Sequence, residues 1–137
     1  MKTSKRKMFI KFIRLFLYRV RKRTWFLPAV SEMTVDQLFD RINSNQPPLI
    51  IDVRGAKEFD GDDGHIPNAK SISIMELASS LEDLHAFREK EIVTICPGGG
   101  MSLIAVEIMT EAGFRDVMSL TGGFNLWVKK GYPTTTS

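Results

Sequence analysis

Short apolar runs alternate with polar or glycine-rich stretches along most of the chain. Residues 49–53, LIIDV, form a β-branched run that reads as a buried parallel strand. Residues 71–74, 92–95 and 117–120 repeat that pattern. Between these runs the period changes. Val35, Leu38, Phe39 and Ile42 recur at three-and-four spacing behind Thr34 and Gln37, a capping-box pair, and predict a helix. Leu77, Leu81 and Leu84 predict a second helix over 75–84, with His85 solvated near its end. Residues 103–112 are apolar nearly all round, as in a buried helix, and Gly113 is a natural stop. The Thr121, Gly122 and Gly123 turn then leads into a last helix over 124–130, with Trp127 turned inward. Residues 43–48 read as a loop, and GAKEFDGDDGHIPNA, 55–69, as a long surface loop. Strands alternating with helices of this length imply an α/β domain built on a parallel sheet.

Ahead of this pattern, Phe9, Phe12, Ile13, Phe16, Leu17 and Val20 recur at helical spacing among many basic residues, up to a break at Pro28. Lys11, Arg14, Arg19 and the Arg21, Lys22, Arg23 cluster are too many charges for a membrane span of about 20 apolar residues. They also interrupt the apolar region that a secretory signal needs. The segment 1–28 therefore reads as a basic amphipathic helix, separate from a domain over 29–137. Three roles fit it: lying on an anionic membrane surface, packing on the domain or a partner, and directing the chain to an organelle.

Charge sharpens this division. Residues 1–23 hold ten Lys/Arg and no acid, while the other 114 residues hold nine Lys/Arg and sixteen Asp/Glu. The net charge of +3 is thus +10 followed by −7, and the basic balance belongs to the front segment alone. Nucleic-acid binding by the domain is disfavoured. A length of 137 residues, 43% of them hydrophobic, suits one ordinary core.

The candidate chemistry centres on the single cysteine. Cys96 ends the strand over 92–95, and a glycine loop then leads to the helix that follows. One cysteine excludes an internal disulfide and a Cys-x-x-Cys redox pair, and supplies too few soft ligands for a structural zinc site. A buried, inert cysteine is the plain alternative. Gly98, Gly99 and Gly100 permit dihedrals that side chains forbid, so the amides from Gly98 to Ser102 can converge beside the positive end of the helix. Such a nest stabilises an anion and activates a cysteine within it. Pro97 offers no amide, and Ser102 can cap the helix or donate its hydroxyl to sulfur.

Three chemistries use a thiolate in such a cradle: phosphoryl transfer, arsenate-type reduction and sulfane-sulfur transfer. Cysteine-dependent phosphatases follow C-x-x-x-x-x-R, whose arginine grips phosphate. Here that position is Ser102 and the loop has no cation, so a phosphate dianion would be poorly compensated. Reduction through an internal disulfide needs a second thiol, which the chain lacks.

From Ala29 to Pro133 the chain resembles the rhodanese-like domain family of sulfurtransferases. The resemblance rests on LIIDVR with Glu58 and Phe59, on GHIPNA from Gly64 to Ala69, on CPGGGMS from Cys96 to Ser102, and on LTGGFNLW from Leu120 to Trp127. It implies a five-stranded parallel sheet flanked by helices on both faces, with Cys96 at the carboxyl edge. It also implies that Cys96 takes sulfur from thiosulfate or a persulfide, through a Cys96 persulfide, and passes it to cyanide or a thiol. The loop Pro97, Gly98, Gly99, Gly100, Met101 and Ser102 would hold that persulfide. Asp52 and Arg54 match the family's Asp-x-Arg element, with Arg54 expected to brace neighbouring carboxylates such as Glu58, and the site loop; a purely structural ion pair is the other reading. His65, in the GHIP turn, is expected to be a structural hydrogen-bonder.

Many members of the family carry Arg or Lys in this loop, which suits anionic thiosulfate; this chain does not. A persulfide or a sulfur-carrier protein is therefore the better-fitting donor, with Met101 as an apolar rim or as helix-start packing. No metal or organic cofactor is implied. A reactive thiol without disulfides favours a reducing compartment, hence the cytoplasm, with a peripheral position on the inner membrane face if the basic helix binds lipid. The alternative from another class is a non-catalytic rhodanese-like binding or regulatory module at a membrane surface.

Overall fold

The computed structural model describes residues 30–137 and, ahead of them, Lys7, Ile10, Lys11, Ile13 and Arg14. These five positions are helical, Ile13 is half-buried and the other four are exposed. The rest of the amphipathic face anticipated for 1–28, including Phe9, Phe12, Phe16, Leu17 and Val20, lies outside the described residues.

From residue 30 the order is β1 (Glu32–Met33), α1 (Val35–Ile42), β2 (Leu49–Asp52), α2 (Ala56–Phe59), β3 (Lys70–Ser71), α3 (Ile74–Ser80), β4 (Glu91–Ile95), α4 (Gly100–Glu111), β5 (Asp116–Leu120) and α5 (Gly123–Lys129). The five strands form one sheet in the order β1-β5-β4-β2-β3, parallel at every pairing. This is the five-stranded parallel architecture that the family resemblance implies. Its registers set Asp52 opposite Ile95 and Thr94 opposite Ser119, which brings the ends of β2, β4 and β5 together around Cys96.

Alternation along the strands divides the core into two layers. Ile51, Ile92 and Cys96 face one layer, with Ile74 and Leu77 of α3 and Ala105, Ile108 and Met109 of α4. Ile50, Val93 and Ile95 face the other, with Val35 and Leu38 of α1 and Phe124 and Trp127 of α5. Helices therefore cover both faces of β4, the strand that carries Cys96, as its continuous apolar run requires.

Local signals act as anticipated at several element ends. Thr34 Oγ1 accepts the Gln37 amide at 3.1 Å and Gln37 Oε1 accepts the Thr34 amide at 2.9 Å, completing the capping box of α1. Gly113, at φ 94, follows the Ala112 cap of α4.

Other boundaries differ. The strand expected over 71–74 is confined to Lys70–Ser71. The amides of Ile72 and Ile74 still bond to Asp52 O and Val53 O, but Ile74 already opens α3. That helix ends at Ser80 rather than Leu84. Its Ser79 and Ser80 hydroxyls both fold back onto Glu76 O at 2.9 Å, the competition that makes serine a weak helix interior, and Leu84 is buried through the 3-10 turn His85–Phe87 that follows. His85 is exposed, with Arg88 Nη1 2.8 Å from its Nε2. The long loop contains the one-turn helix α2. Strand β1, two residues long and paired to Ser119 and Leu120, is too short for any periodicity to reveal.

Candidate active site

Strand β4 delivers Cys96 to the carboxyl edge of the sheet, and the chain turns through residues 97–99 into α4. That turn depends on Gly99, which caps α4 in the left-handed region at φ 99. This conformation directs the Gly99 amide onto Cys96 Sγ at 2.9 Å. The sulfur lies beneath the loop, and the residue is 1% exposed.

Ser102, in the first turn of α4, is fully buried with its hydroxyl 3.4 Å from Cys96 Sγ. It also donates to Gly99 O at 3.1 Å and lies 2.6 Å from the hydroxyl of Ser119 on β5. Helix α4 is capped by the Gly99 backbone, so Ser102 serves the sulfur and the loop rather than acting as N-cap. Thr94, two residues before Cys96 on the same face of β4, anchors this turn by donating to Ser102 O at 2.9 Å and to Met118 O at 3.3 Å.

The floor of the loop comes from β5 and α5. The Phe124 and Asn125 amides donate to Cys96 O and Pro97 O at 2.8 and 3.0 Å. Such close approach requires glycine at position 123. A Cβ there would lie 2.4 Å from Cys96 O and 2.6 Å from Pro97 O, and its φ of +64 disfavours any side chain. On the open side of the loop, a Cβ at Gly98 or Gly100 would meet nothing within 4 Å. Met101 is exposed at the rim.

Asp52 and Arg54 form a buried pair. Arg54 Nε lies 3.0 and 3.1 Å from the two Asp52 carboxylate oxygens, and Nη2 lies 2.8 Å from Asp52 Oδ2 and 2.9 Å from Gly64 O. The guanidinium also stacks over the Phe124 ring at 3.9 Å. It thus ties the end of β2 to the 55–69 loop and to the residue whose amide holds Cys96 O. The carboxylate that Arg54 braces is Asp52; Glu58, the example anticipated, is exposed on α2, and Arg54 directs its donors to Asp52 and Gly64. His65 is buried, stacked on Phe59 with centroids 3.6 Å apart, and has Nδ1 2.9 Å from Phe59 O. These contacts hold the loop and not the sulfur.

The structure therefore gathers Cys96, Gly99 and Ser102 into direct contact and places Asp52 and Arg54 one layer behind them. Ser119, Thr94, Gly123 and Phe124 join the site without having been singled out. The Gly-Gly turn beside the last strand signals a close approach at Gly123, whereas a lone serine or threonine within a strand carries no pattern. Among the described residues, no three His, Cys, Asp or Glu side chains gather as a metal site.

Comparison with known proteins finds relatives in both sequence and fold. The model of the rhodanese-like domain family matches residues 34–130. The thiosulfate sulfurtransferase GlpE of Pseudomonas syringae pv. syringae is 32% identical over 91 residues, covering 66% of this chain and 81% of that protein. The protein of the same name from Pseudoalteromonas translucida is 34% identical over 103 residues, covering 72% and 90%. Among solved structures, the rhodanese-like domain of an Anabaena protein superposes with a TM-score of 0.67 at 27% identity, covering 77% of this chain and 80% of that one.

Proposed function

The chain belongs to the rhodanese-like domain family, and from that premise we propose that it is a sulfurtransferase that carries sulfane sulfur on Cys96. The observation that carries this reading is the Gly99 amide 2.9 Å from Cys96 Sγ, at the head of a twelve-residue helix. A backbone donor and the helix dipole both favour negative charge on sulfur there. The relatives named thiosulfate sulfurtransferase support the same class of reaction.

The cycle is a double displacement. The Cys96 thiolate attacks the outer sulfur of a donor R–S–S⁻, forming Cys96–S–S⁻ and expelling R–S⁻; with thiosulfate the group expelled is sulfite. An acceptor thiolate or cyanide then attacks the outer sulfur of Cys96–S–S⁻. The products are a new persulfide or thiocyanate, together with the Cys96 thiolate. The amides of Gly100, Met101 and Ser102 open α4 and have no acceptor within the helix, so they are the natural cradle for the terminal sulfur anion.

The preferred donor is a persulfide, either small or carried by a protein. Thiosulfate brings two negative charges, and the loop has no cation to receive them. Arg54, the guanidinium that braces the loop, is buried and already neutralised by Asp52. Open space at Gly98 and Gly100 and the exposed Met101 leave room for a bulky donor. Steady-state transfer to cyanide tests this, with glutathione persulfide expected to give a kcat/KM at least about tenfold above that of thiosulfate. Equal values would refute the donor preference.

A non-catalytic module at a membrane surface is the second reading, favoured by the ten basic residues of 1–23 and by the burial of Cys96. Among the described residues no helix is long and apolar enough to cross a membrane.

A further inference from the structure

We infer that Ser119 is a positioning residue of the sulfur site, fixing the Ser102 hydroxyl so that its proton is available to the Cys96 sulfur anion. The inference rests on the sulfur-transfer reading of Cys96 and adds to it a group on a different strand.

Three buried groups, Cys96, Ser102 and Ser119, share a limited set of protons and acceptors. Ser119 is 0% exposed, and the Ser102 hydroxyl at 2.6 Å is its side-chain partner. Ser102 has a wider choice, since Gly99 O at 3.1 Å, Ser119 Oγ at 2.6 Å and Cys96 Sγ at 3.4 Å all surround its oxygen. If Ser102 donated to Ser119, its single proton would be spent there. The Ser119 proton would then sit in the core without an acceptor, and Gly99 O would lose the Ser102 bond. Burying an unmade donor is costly, so the direction is fixed: Ser119 donates and Ser102 accepts.

With Ser119 donating, the Ser102 proton is committed to neither serine and follows the state of the sulfur. As a thiol, Cys96 donates S–H to Ser102 Oγ, and Ser102 donates to Gly99 O. As an anion, the sulfur offers only acceptor capacity, and the Ser102 proton turns from Gly99 O to Sγ. Sulfur then holds two donors, the Gly99 amide and the Ser102 hydroxyl. The Ser119 bond also polarises the Ser102 hydroxyl, making it a stronger donor to the anion. The register holds this geometry in place, because Ser119 lies opposite Thr94, and Thr94 Oγ1 in turn pins Ser102 O.

The test is the rate of iodoacetamide alkylation of Cys96 in the full chain at fixed neutral pH, which reads the sulfur anion. Ser119→Ala is expected to slow alkylation roughly three- to tenfold, and Ser119→Thr, which keeps the hydroxyl, to restore the wild-type rate. An unchanged rate in Ser119→Ala would overturn the inference. So would a Ser119→Thr variant as slow as Ser119→Ala, which would assign the effect to packing. Should Ser119→Ala fail to fold, Ser119→Gly, which also removes the hydroxyl and adds no second thiol, replaces it: slower alkylation supports the assignment and the wild-type rate overturns it. Alkylation does not involve sulfur transfer, so the result is independent of whether wild type accepts sulfane sulfur from a donor.

Discussion

At the scale of single residues, the glycines of the site divide by what surrounds them. Gly123 is fixed by contact and conformation together. Gly123→Ala should destabilise the fold by about 1–3 kcal/mol from backbone conformation alone, with the clash against Cys96 O and Pro97 O adding to that. Urea unfolding checks this, and an unchanged midpoint would contradict it. Gly98 faces open space with no positive φ, so a side chain there is tolerated. Gly98→Arg should raise kcat/KM for thiosulfate by about tenfold while leaving glutathione persulfide within roughly twofold. An equal gain for both donors would mean that charge at the loop does not set the preference. Cys96 was legible from the sequence because a lone cysteine between a β-branched run and three glycines is a strong local pattern. Ser119 was not, because its role depends on β5 lying next to β4, and that adjacency is a property of the sheet.

At the scale of elements, two polar contacts hold neighbouring pieces together with different consequences. Asp52 and Arg54 join β2, the 55–69 loop and α5 inside the core. Asp52→Asn strands a buried guanidinium and should cost about 3–5 kcal/mol, whereas replacing both partners with Leu should cost less. A double variant less stable than Asp52→Asn would show that the pair contributes beyond charge compensation. At the surface, Asp36 of α1 accepts from Lys130 Nζ at 2.8 and 3.0 Å and from the Tyr132 hydroxyl, tying α1 to the end of α5. The Lys130 hydrogen bonds first, and then Tyr132, hold the Asp36 carboxyl below its usual range. A depressed folded-state value stabilises above the unfolded carboxylate range and is lost as pH falls through the folded value. Asp36→Asn should therefore lower the urea midpoint slightly at pH 7 and leave it unchanged in acid, where Asp36 is protonated in both states. An equal loss at both pH values would contradict this assignment. These contacts are invisible in sequence, since Asp36 and Lys130 lie 94 positions apart.

At the scale of the whole molecule, the alternation of short apolar runs with helical spacing or with longer apolar segments was enough to imply the parallel sheet. What it missed were pieces without a period of their own: two-residue β1, one-turn α2 and the early end of α3 at Ser80. The charge division between 1–23 and the rest carries a prediction at this scale. If the basic segment binds lipid, the full chain should co-sediment with anionic liposomes, and a chain starting at Ala29 should remain in the supernatant. Equal co-sedimentation of the two would contradict a membrane role for the segment. Passage of sulfur through Cys96 is read from intact mass after incubation with glutathione persulfide and removal of excess donor. Wild type should gain the mass of one sulfur atom, lose it on adding cyanide, and show no gain as Cys96→Ser. An unloaded wild type, or a Cys96→Ser variant that still gains the mass, would contradict the account.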